Sequence, residues 1–159
     1  MNWYKQSFKS RLISVPLKGT LEQTNDGFVY LNLSNDVIHG LYTIIDEEGI
    51  EKPPYDKGKY NGLGAHISVM NQDEFKEETK IKEIGREFSF KLGKFYSTEP
   101  EGWDEMERVW FVSVISPELE KLRKKYGLPQ TYKGLNHDFH FTCAIKKKRK
   151  KQAGLQLIF

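Results

Sequence analysis

Hydrophobic and polar residues alternate along several short stretches of the chain, which is the pattern of half-buried β-strands. In residues 28–33 the alternation places Val29, Leu31 and Leu33 on one face of the strand. The opposite face then carries Phe28, Tyr30 and Asn32. Residues 109–115 are apolar on both faces, as in a central strand of a sheet. The same patterns predict further strands at residues 66–69, 88–92 and 139–145.

Helical periodicity and capping residues predict helices between these strands. Ser34-Asn35-Asp36 is an N-cap cluster, and the helix after it ends near Gly49. Ser116-Pro117 begins a second helix, which closes at Gly127. Weaker patterns predict a charged helix over residues 71–84 and a short polar helix within residues 1–19. The apolar stripes of the first two helices consist of Val37, Leu41, Ile44 and Ile45, and of Leu119 and Leu122.

The order of these elements predicts an α+β domain with outer helices on a mostly antiparallel sheet. In each half, a strand and a helix lead through a loop to a further strand, so the halves read as a duplicated lobe. A chain of 159 residues suits one domain over residues 1–159 and is short for two. Its core spans about residues 27–146, and residues 146–159 form a basic C-terminal extension.

Composition narrows the class of protein. Ten Phe, eight Tyr and three Trp within 38% hydrophobic residues indicate a folded globule rather than a disordered chain. The single cysteine, Cys143, rules out an internal disulfide framework and fits a reducing cytosol. No apolar run approaches the roughly 20 residues of a membrane span, and the N-terminus lacks a signal-peptide core. We expect a cytoplasmic protein with no membrane partner, and its net charge of +3 suits an anionic ligand.

Two tetrapeptides carry the candidate chemistry, His66-Ile67-Ser68-Val69 and His140-Phe141-Thr142-Cys143. Both have the order histidine, apolar, hydroxyl, apolar. On a strand, the histidine and the hydroxyl two positions later share one face, roughly 7 Å apart. If the two strands lie side by side, two imidazoles and two hydroxyls converge on one small anion. Such a group of side chains suits acid–base chemistry at a phosphodiester.

These paired segments, each preceded by an apolar strand and a capped helix, resemble the two-histidine (2H) phosphoesterase superfamily with its cyclic phosphodiesterase-like fold. The likeness covers about residues 27–146. It implies a bilobal molecule with pseudo-two-fold duplicated sheets and a central cleft. It further implies hydrolysis of a nucleotide or RNA phosphodiester with no metal and no cofactor. Candidate substrates are a 2′,3′-cyclic phosphate, a 2′-5′ linkage or a cyclic oligonucleotide. Ser68 stands where threonine is commoner in the family.

The chemistry assigns roles to the four motif residues. One of His66 and His140 should act as general base and the other as general acid, and both assignments stay open. An imidazole with an ordinary pKa near 6.5 can serve either part at neutral pH. Ser68 and Thr142 can donate hydrogen bonds to non-bridging phosphate oxygens and stabilise charge in the transition state.

Two alternatives remain beside an RNA-processing phosphodiesterase. Within the same superfamily, the substrate can be a small signalling nucleotide such as a cyclic dinucleotide. From a different class, the chain can be a non-catalytic RNA-binding module that kept the cleft. Intact histidine and hydroxyl at both motifs favour the enzyme, because a pure binder needs no pair of imidazoles. Nothing in the sequence points to a protein partner.

Substrate-contacting side chains are expected in the loops that lead to the motifs. Aromatic rings would stack on a base, and cations would bind flanking phosphates. Each candidate can equally be a surface or core side chain with no such role. The candidates are Tyr60 and Lys59 before the first motif, Tyr132 and Lys133 before the second, Trp103 in a turn, and Tyr30 on the cleft floor beside Asn32.

The remaining histidines and the basic run receive simpler interpretations. His39 points away from its helix stripe and should be exposed. His137 and His140 fall on opposite strand faces, which argues against a metal pair with Asp138. We expect Cys143 to be a buried small residue.

The run 146–151 can be a solvated extension, an RNA-backbone patch or, in a host with a nucleus, a nuclear signal. Residues 155–159 can add an edge strand.

Overall fold

The computed structural model describes residues 2–4, 6–53, 63–76, 78–102, 104–130, 132 and 138–149. Nine strands and two α-helices are formed by these residues. The strands are β1 (Asn2–Tyr4), β2 (Lys18–Gln23), β3 (Val29–Asn32), β4 (Ile50–Glu51), β5 (His66–Met70), β6 (Glu87–Ser89), β7 (Lys91–Thr98), β8 (Met106–Ile115) and β9 (Phe139–Lys147). The helices are α1 (Asp36–Tyr42) and α2 (Pro117–Lys125), with short 3-10 helices at Gln6–Leu12 and Gln72–Glu74.

The strands form two separate sheets in which neighbouring strands run antiparallel. One sheet has five strands in the order β1-β7-β8-β9-β4, and the other has four in the order β5-β3-β2-β6. The long apolar strand β8 lies at the centre of the five-stranded sheet, as its sequence predicted. The α+β class with two antiparallel sheets is therefore confirmed.

The two halves of the sequence repeat one order of strand, helix and strand, and the helix of each half contacts the sheet of the other. In the first half β3 leads through α1 to β5, and in the second half β8 leads through α2 to β9. Helix α1 packs on β9, whereas α2 packs on β5 and β6. Each helix therefore covers the sheet that holds the motif strand of the other half. This exchange places the two motif strands at the junction of the halves.

A single large core joins the two sheets. Alternation directs Leu31 and Ile67 of one sheet and Val112 and Phe141 of the other into this core, where all four are fully buried. The opposite faces of β3, with Tyr30 and Asn32, and of β5, with Ser68, are at least partly exposed, whereas β8 is buried on both faces, with Phe111 only 1% exposed. The predicted faces of β3 and β5 are confirmed, because a period of two directs alternate residues into the core, and β8 is buried on both faces as predicted for a central strand.

Both capped helices begin where the sequence predicted. The hydroxyl of Ser116 accepts a hydrogen bond from the N–H of Leu119 (3.3 Å), and Gly127 follows α2 with a φ of +75° that favours glycine. Helix α1 begins after the N-cap Asn35 but ends at Tyr42, well before Gly49. The apolar stripe predicted for α1 did not include Ile38, which is fully buried.

The prediction of a helix over residues 71–84 is wrong. Among its described residues, 71–76 and 78–84, this segment forms only the 3-10 helix Gln72–Glu74 and turns. Its polar side chains bind other elements instead: the Glu83 carboxylate accepts hydrogen bonds from Lys125 and Tyr126 of the α2 region, each at 2.6 Å. These tertiary bonds compete with a helix that has few apolar residues to bury.

Two further expectations are corrected in the same way. Residues 1–19 contain β1, a 3-10 helix and the start of β2 rather than one polar helix. The strand predicted at residues 88–92 is two strands, because the chain passes from one sheet to the other at Phe90. The Phe90 N–H donates to the carbonyl of Leu17 (3.1 Å), which fixes this crossing. Among the described residues, no helix has the length and apolarity needed to cross a membrane.

Candidate active site

The two motif strands contact each other where the two sheets meet. Strand β5 is an edge strand of its sheet. Strand β9 pairs with β8 along most of its length, but β4 covers it only at Ile145 and Lys146. The part of β9 with His140 and Thr142 therefore turns an edge toward β5, and the two strands are in contact. They lie side by side as expected, but as the facing edges of two sheets.

The backbone before β5 holds the ring of His66. The Nδ1 atom of His66 lies 2.8 Å from the carbonyl oxygen of Gly64. The next residue, Ala65, donates its N–H to the side-chain oxygen of Asn35 (2.8 Å), and its carbonyl accepts from Leu33 (2.9 Å). These bonds attach the residues before His66 to the start of helix α1.

His140 has the same local arrangement. Its Nδ1 lies 3.1 Å from the carbonyl oxygen of Asp138, two residues earlier. A carbonyl oxygen only accepts hydrogen bonds, so Nδ1 of both histidines carries a proton. The second nitrogen, Nε2, is then a base in the neutral ring and an acid in the charged ring. Each imidazole can therefore accept or donate a proton through Nε2, depending on its charge.

Aromatic rings stand edge-on against both imidazoles. The ring centroids of Phe28 and Tyr30 lie 6.1 and 5.9 Å from that of His66, at interplanar angles of 87° and 77°. The Phe111 ring lies 5.4 Å from His140 at 68°. Tyr30 and Phe111 come from the strand next to the motif strand, and Phe28 directly precedes β3. These rings remove water from one side of each imidazole.

This burial lowers the pKa of both histidines below the ordinary value. For His66 the main cause is desolvation, which the carbonyl of Gly64 partly opposes. For His140 desolvation is again the largest cause, and the charge of His66 lowers its pKa further. The second effect means that the two rings lie within electrostatic reach of each other. Protonation of one therefore disfavours protonation of the other.

The strand registers repeat the same four-residue arrangement in both halves. His66 lies opposite Asn32 and Ser68 opposite Tyr30. In the second half His140 lies opposite Ser113 and Thr142 opposite Phe111. Directly opposed residues share a face of the sheet, so each imidazole has a polar neighbour and each hydroxyl an aromatic one. Sequence reasoning missed Phe111 and Ser113, although the spacing aromatic-x-polar at 30–32 recurs at 111–113.

Tyr30 and Tyr132 occupy different positions relative to the motif residues. The ring of Tyr30 flanks His66, and burial and the nearby Glu22 carboxylate, which accepts from its hydroxyl, raise its pKa. Tyr132 is 9% exposed, and its hydroxyl donates to the side-chain oxygen of Asn71. Tyr132 is therefore a buried side chain and not one that stands at a rim. The candidates Tyr60, Lys59, Lys133 and Trp103 lie outside the described residues.

Cys143, His39 and His137 are the other residues that could carry reactive groups. Cys143 is fully buried, its Sγ is 3.6 Å from the Trp110 carbonyl, and burial raises its thiol pKa strongly, so it is no nucleophile. His39 is exposed on α1, as predicted. His137 lies outside the described residues. Across the described part of the chain, no three His, Cys, Asp or Glu side chains cluster as metal ligands do.

A family model described as 2H-SAK, Swiss Army Knife, 2H phosphoesterase domain, matches residues 29–150, most of the chain and both motif strands. The chain belongs to this 2H phosphoesterase family. The resemblance drawn from the paired tetrapeptides is thus confirmed, and the family makes the chain a hydrolase of phosphodiester bonds. No curated protein and no solved structure gives a significant match.

The basic run of this 2H phosphoesterase begins inside β9. The ammonium of Lys146 lies 3.2 Å from a carboxylate oxygen of Glu47 and 3.4 Å from one of Glu107. Lys147 lies 3.9 Å from Glu51. The first two lysines of the run therefore face carboxylates. Lys148 and Arg149 are exposed, and residues 150–159 lie outside the described residues, so an RNA-backbone patch or an edge strand there stays a prediction.

Proposed function

We propose that this 2H phosphoesterase is a metal-independent phosphodiesterase that acts on a nucleotide or RNA phosphodiester, with His66 and His140 as its acid–base pair. One observation carries the proposal. Both imidazoles bond through Nδ1 to a carbonyl two residues earlier, on two strands that contact each other. A structural histidine needs no such duplication, whereas an acid–base pair needs two equivalent Nε2 atoms.

In the proposed reaction, one of the two imidazoles carries a proton on Nε2 and the other does not. The neutral imidazole takes a proton from a water molecule through Nε2, and the water oxygen forms a bond to phosphorus. The bond between phosphorus and the leaving oxygen breaks, and the protonated imidazole gives its Nε2 proton to that oxygen. Protons and charges balance, and the pair ends with its single proton on the opposite ring.

The hydroxyls and the aromatic rings support this reaction. Ser68 and Thr142 each lie two residues after a histidine on the same strand face, so they can donate to the non-bridging oxygens. Hydrogen bonds to a developing charge are stronger where water is excluded. Tyr30 and Phe111 lie directly opposite these hydroxyls and reduce the access of water.

A panel of candidate substrates tests the proposal in the presence of EDTA. Nucleoside 2′,3′-cyclic phosphates, 2′-5′ oligonucleotides and cyclic dinucleotides are incubated with the full chain, and the position of the product phosphate is determined by ³¹P NMR. We expect turnover of at least one class without added metal, and its identity distinguishes RNA ends from signalling nucleotides. Saturable RNA binding without turnover of any class would instead establish the non-catalytic RNA-binding module.

A further inference from the structure

A cavity lies beside Tyr30, at the end of the hairpin formed by β2 and β3. Tyr30 lies directly opposite Ser68, and the centroid of its ring is 5.9 Å from that of His66. The Tyr30 side chain therefore connects the cavity with the motif residues. The cavity has a volume of about 470 Å³, which suits part of a small-molecule ligand. It is lined by Gln23, Thr24, Asn25, Asp26 and Tyr30.

Hydrogen bonds within the hairpin turn hold the carboxylate of Asp26. The Thr24 hydroxyl donates to this carboxylate, and the same hydroxyl oxygen accepts the N–H of Phe28 at 3.0 Å. Backbone bonds join Thr24 with Phe28 and with Gly27, whose φ of +101° lies in the region that favours glycine. Asp26 itself is exposed, and a carboxylate has more acceptor sites than one hydroxyl can fill. The turn therefore presents an oriented carboxylate that can accept further bonds from a ligand.

The charges around the cavity decide which part of a nucleotide fits it. Glu22 pairs with Tyr30 across β2 and β3 and shares its face, so the carboxylates of Glu22 and Asp26 both lie near the Tyr30 ring. Both charges would repel a second phosphate group. A neutral base, in contrast, has an aromatic face for Tyr30 and N–H groups for a carboxylate. In a nucleotide only the sugar separates the base from the phosphate, so a phosphate bound at Ser68 brings the base to Tyr30.

Guanine matches a carboxylate better than the other bases do. Its Watson–Crick edge has two adjacent donors, N1–H and the 2-amino group, which can bond with one carboxylate at the same time. On that edge adenine, cytosine and uracil each offer a single donor group next to an acceptor. We propose that the cavity is a nucleobase subsite of the candidate active site, in which Tyr30 stacks on the base and Asp26 selects guanine. This inference rests on the proposed function, because the phosphate bound at the motif residues is what places the base.

Binding of nucleoside 3′-monophosphates tests the inference without need of turnover. The guanosine, inosine and adenosine compounds are titrated into the full chain by isothermal titration calorimetry. Inosine keeps the N1–H donor and lacks the 2-amino group, whereas adenosine lacks both donors. The parent is compared with Asp26→Asn, which puts an amide of nearly the same shape, with one acceptor oxygen, in place of the carboxylate. Asp104→Asn is the matched control, because Asp104 is also an exposed aspartate between two strands, at the end of β8 that is remote from Ser113.

We expect the parent to bind guanosine 3′-monophosphate about five- to thirtyfold more tightly than the adenosine compound, with the inosine compound between them. This range is the worth of hydrogen bonds to a charged group that water partly screens. In Asp26→Asn the preference should fall below about twofold, whereas Asp104→Asn should keep it. Equal affinities of the parent for the guanosine and adenosine compounds, a preference that survives in Asp26→Asn, or absence of saturable binding would each overturn the inference.

Hydrolysis distinguishes failure of this inference from failure of the proposed activity. Guanosine and adenosine diesters of each candidate class are given to the parent in EDTA, and kcat/KM is measured for each. A guanosine preference in both affinity and kcat/KM supports the inference. Hydrolysis with equal kcat/KM for the two bases would overturn the inference and leave the activity in place. Guanine-selective binding without hydrolysis of any diester would refute the activity alone.

Discussion

At the scale of single residues, the site depends on two imidazoles that are hard to protonate. Burial lowers the pKa of both His66 and His140, and the charge of one opposes protonation of the other. The pair therefore takes its first proton below the ordinary histidine pKa and its second at lower pH still. The singly protonated pair is the form that has one acid and one base. A bound phosphodiester anion stabilises the imidazolium and moves both steps to higher pH.

The pH dependence of kcat/KM follows from these directions. This parameter reports the free enzyme, so it should be bell-shaped with its maximum below pH 6.5, the ordinary histidine value. Activity falls on the acid side because both rings are charged and no base remains, and on the alkaline side because both are neutral and no acid remains. The maximum of kcat, which reports the bound state, should lie at higher pH. Initial rates across the pH range, with chemistry shown to be rate-limiting, measure both curves. A kcat/KM profile that is flat, or that peaks above pH 7, contradicts the assignment.

At the scale of elements, one side chain joins helix α1 to the first motif strand. Asn35 is the N-cap of α1, but its side-chain oxygen accepts from Ala65 instead of from the helix. A Cβ atom at Gly64 would lie 2.6 Å from this same oxygen. A side chain at Gly64 would therefore push the Asn35 amide aside, and the Gly64 carbonyl is the one that lies against Nδ1 of His66. The start of a helix therefore fixes the ring of a candidate catalytic residue.

Substitution of Gly64 tests the link between the Asn35 side chain and the residues before His66. Gly64→Ala should displace the Asn35 side chain, break its bond with Ala65 and lower the free energy of unfolding by about 1 kcal/mol. Turnover should fall as well, because the Gly64 carbonyl moves with the backbone. Asn35→Ala should cost a similar amount of stability, and the double variant should be no less stable than Asn35→Ala, since the clashing oxygen is already absent. Denaturant unfolding of the four proteins gives these values. Additive losses in the double variant would show that Gly64 acts through another contact.

Elements with a strong local signal could be predicted from the sequence, and those fixed by distant contacts could not. The motif strands, β8 and the capped start of α2 follow from alternation and from Ser116-Pro117, which are local patterns. The crossing at Phe90 depends on a bond with Leu17, and the turns near Glu83 depend on Lys125 and Tyr126. No local pattern contains these partners. For the same reason the sequence pointed to the four motif residues but not to Phe111, Ser113 or Arg123.

At the scale of the whole molecule, the candidate site forms because the helix of each half packs on the sheet that holds the motif strand of the other half. Helix α1 covers the sheet that contains β9, and α2 covers the sheet that contains β5. The buried guanidinium of Arg123 crosses the same junction, because it donates from α2 to the carbonyl of Val69 (2.7 Å) at the end of β5. Each half alone provides one imidazole and one hydroxyl, and only the joined halves provide the pair. The distance between the histidines is therefore set by packing of the shared core and not by any one loop.

The most direct test of this account compares turnover in His66→Asn, His140→Asn and the double variant with the parent, in EDTA and on a substrate that the parent hydrolyses. Each single variant should lose about 100- to 10,000-fold in kcat, the usual worth of a general acid or base. The double variant should be no more than slightly slower than the slower single variant, because the two groups act as a unit. Circular dichroism confirms that each variant is folded. Turnover at the parental rate in either single variant would contradict the account.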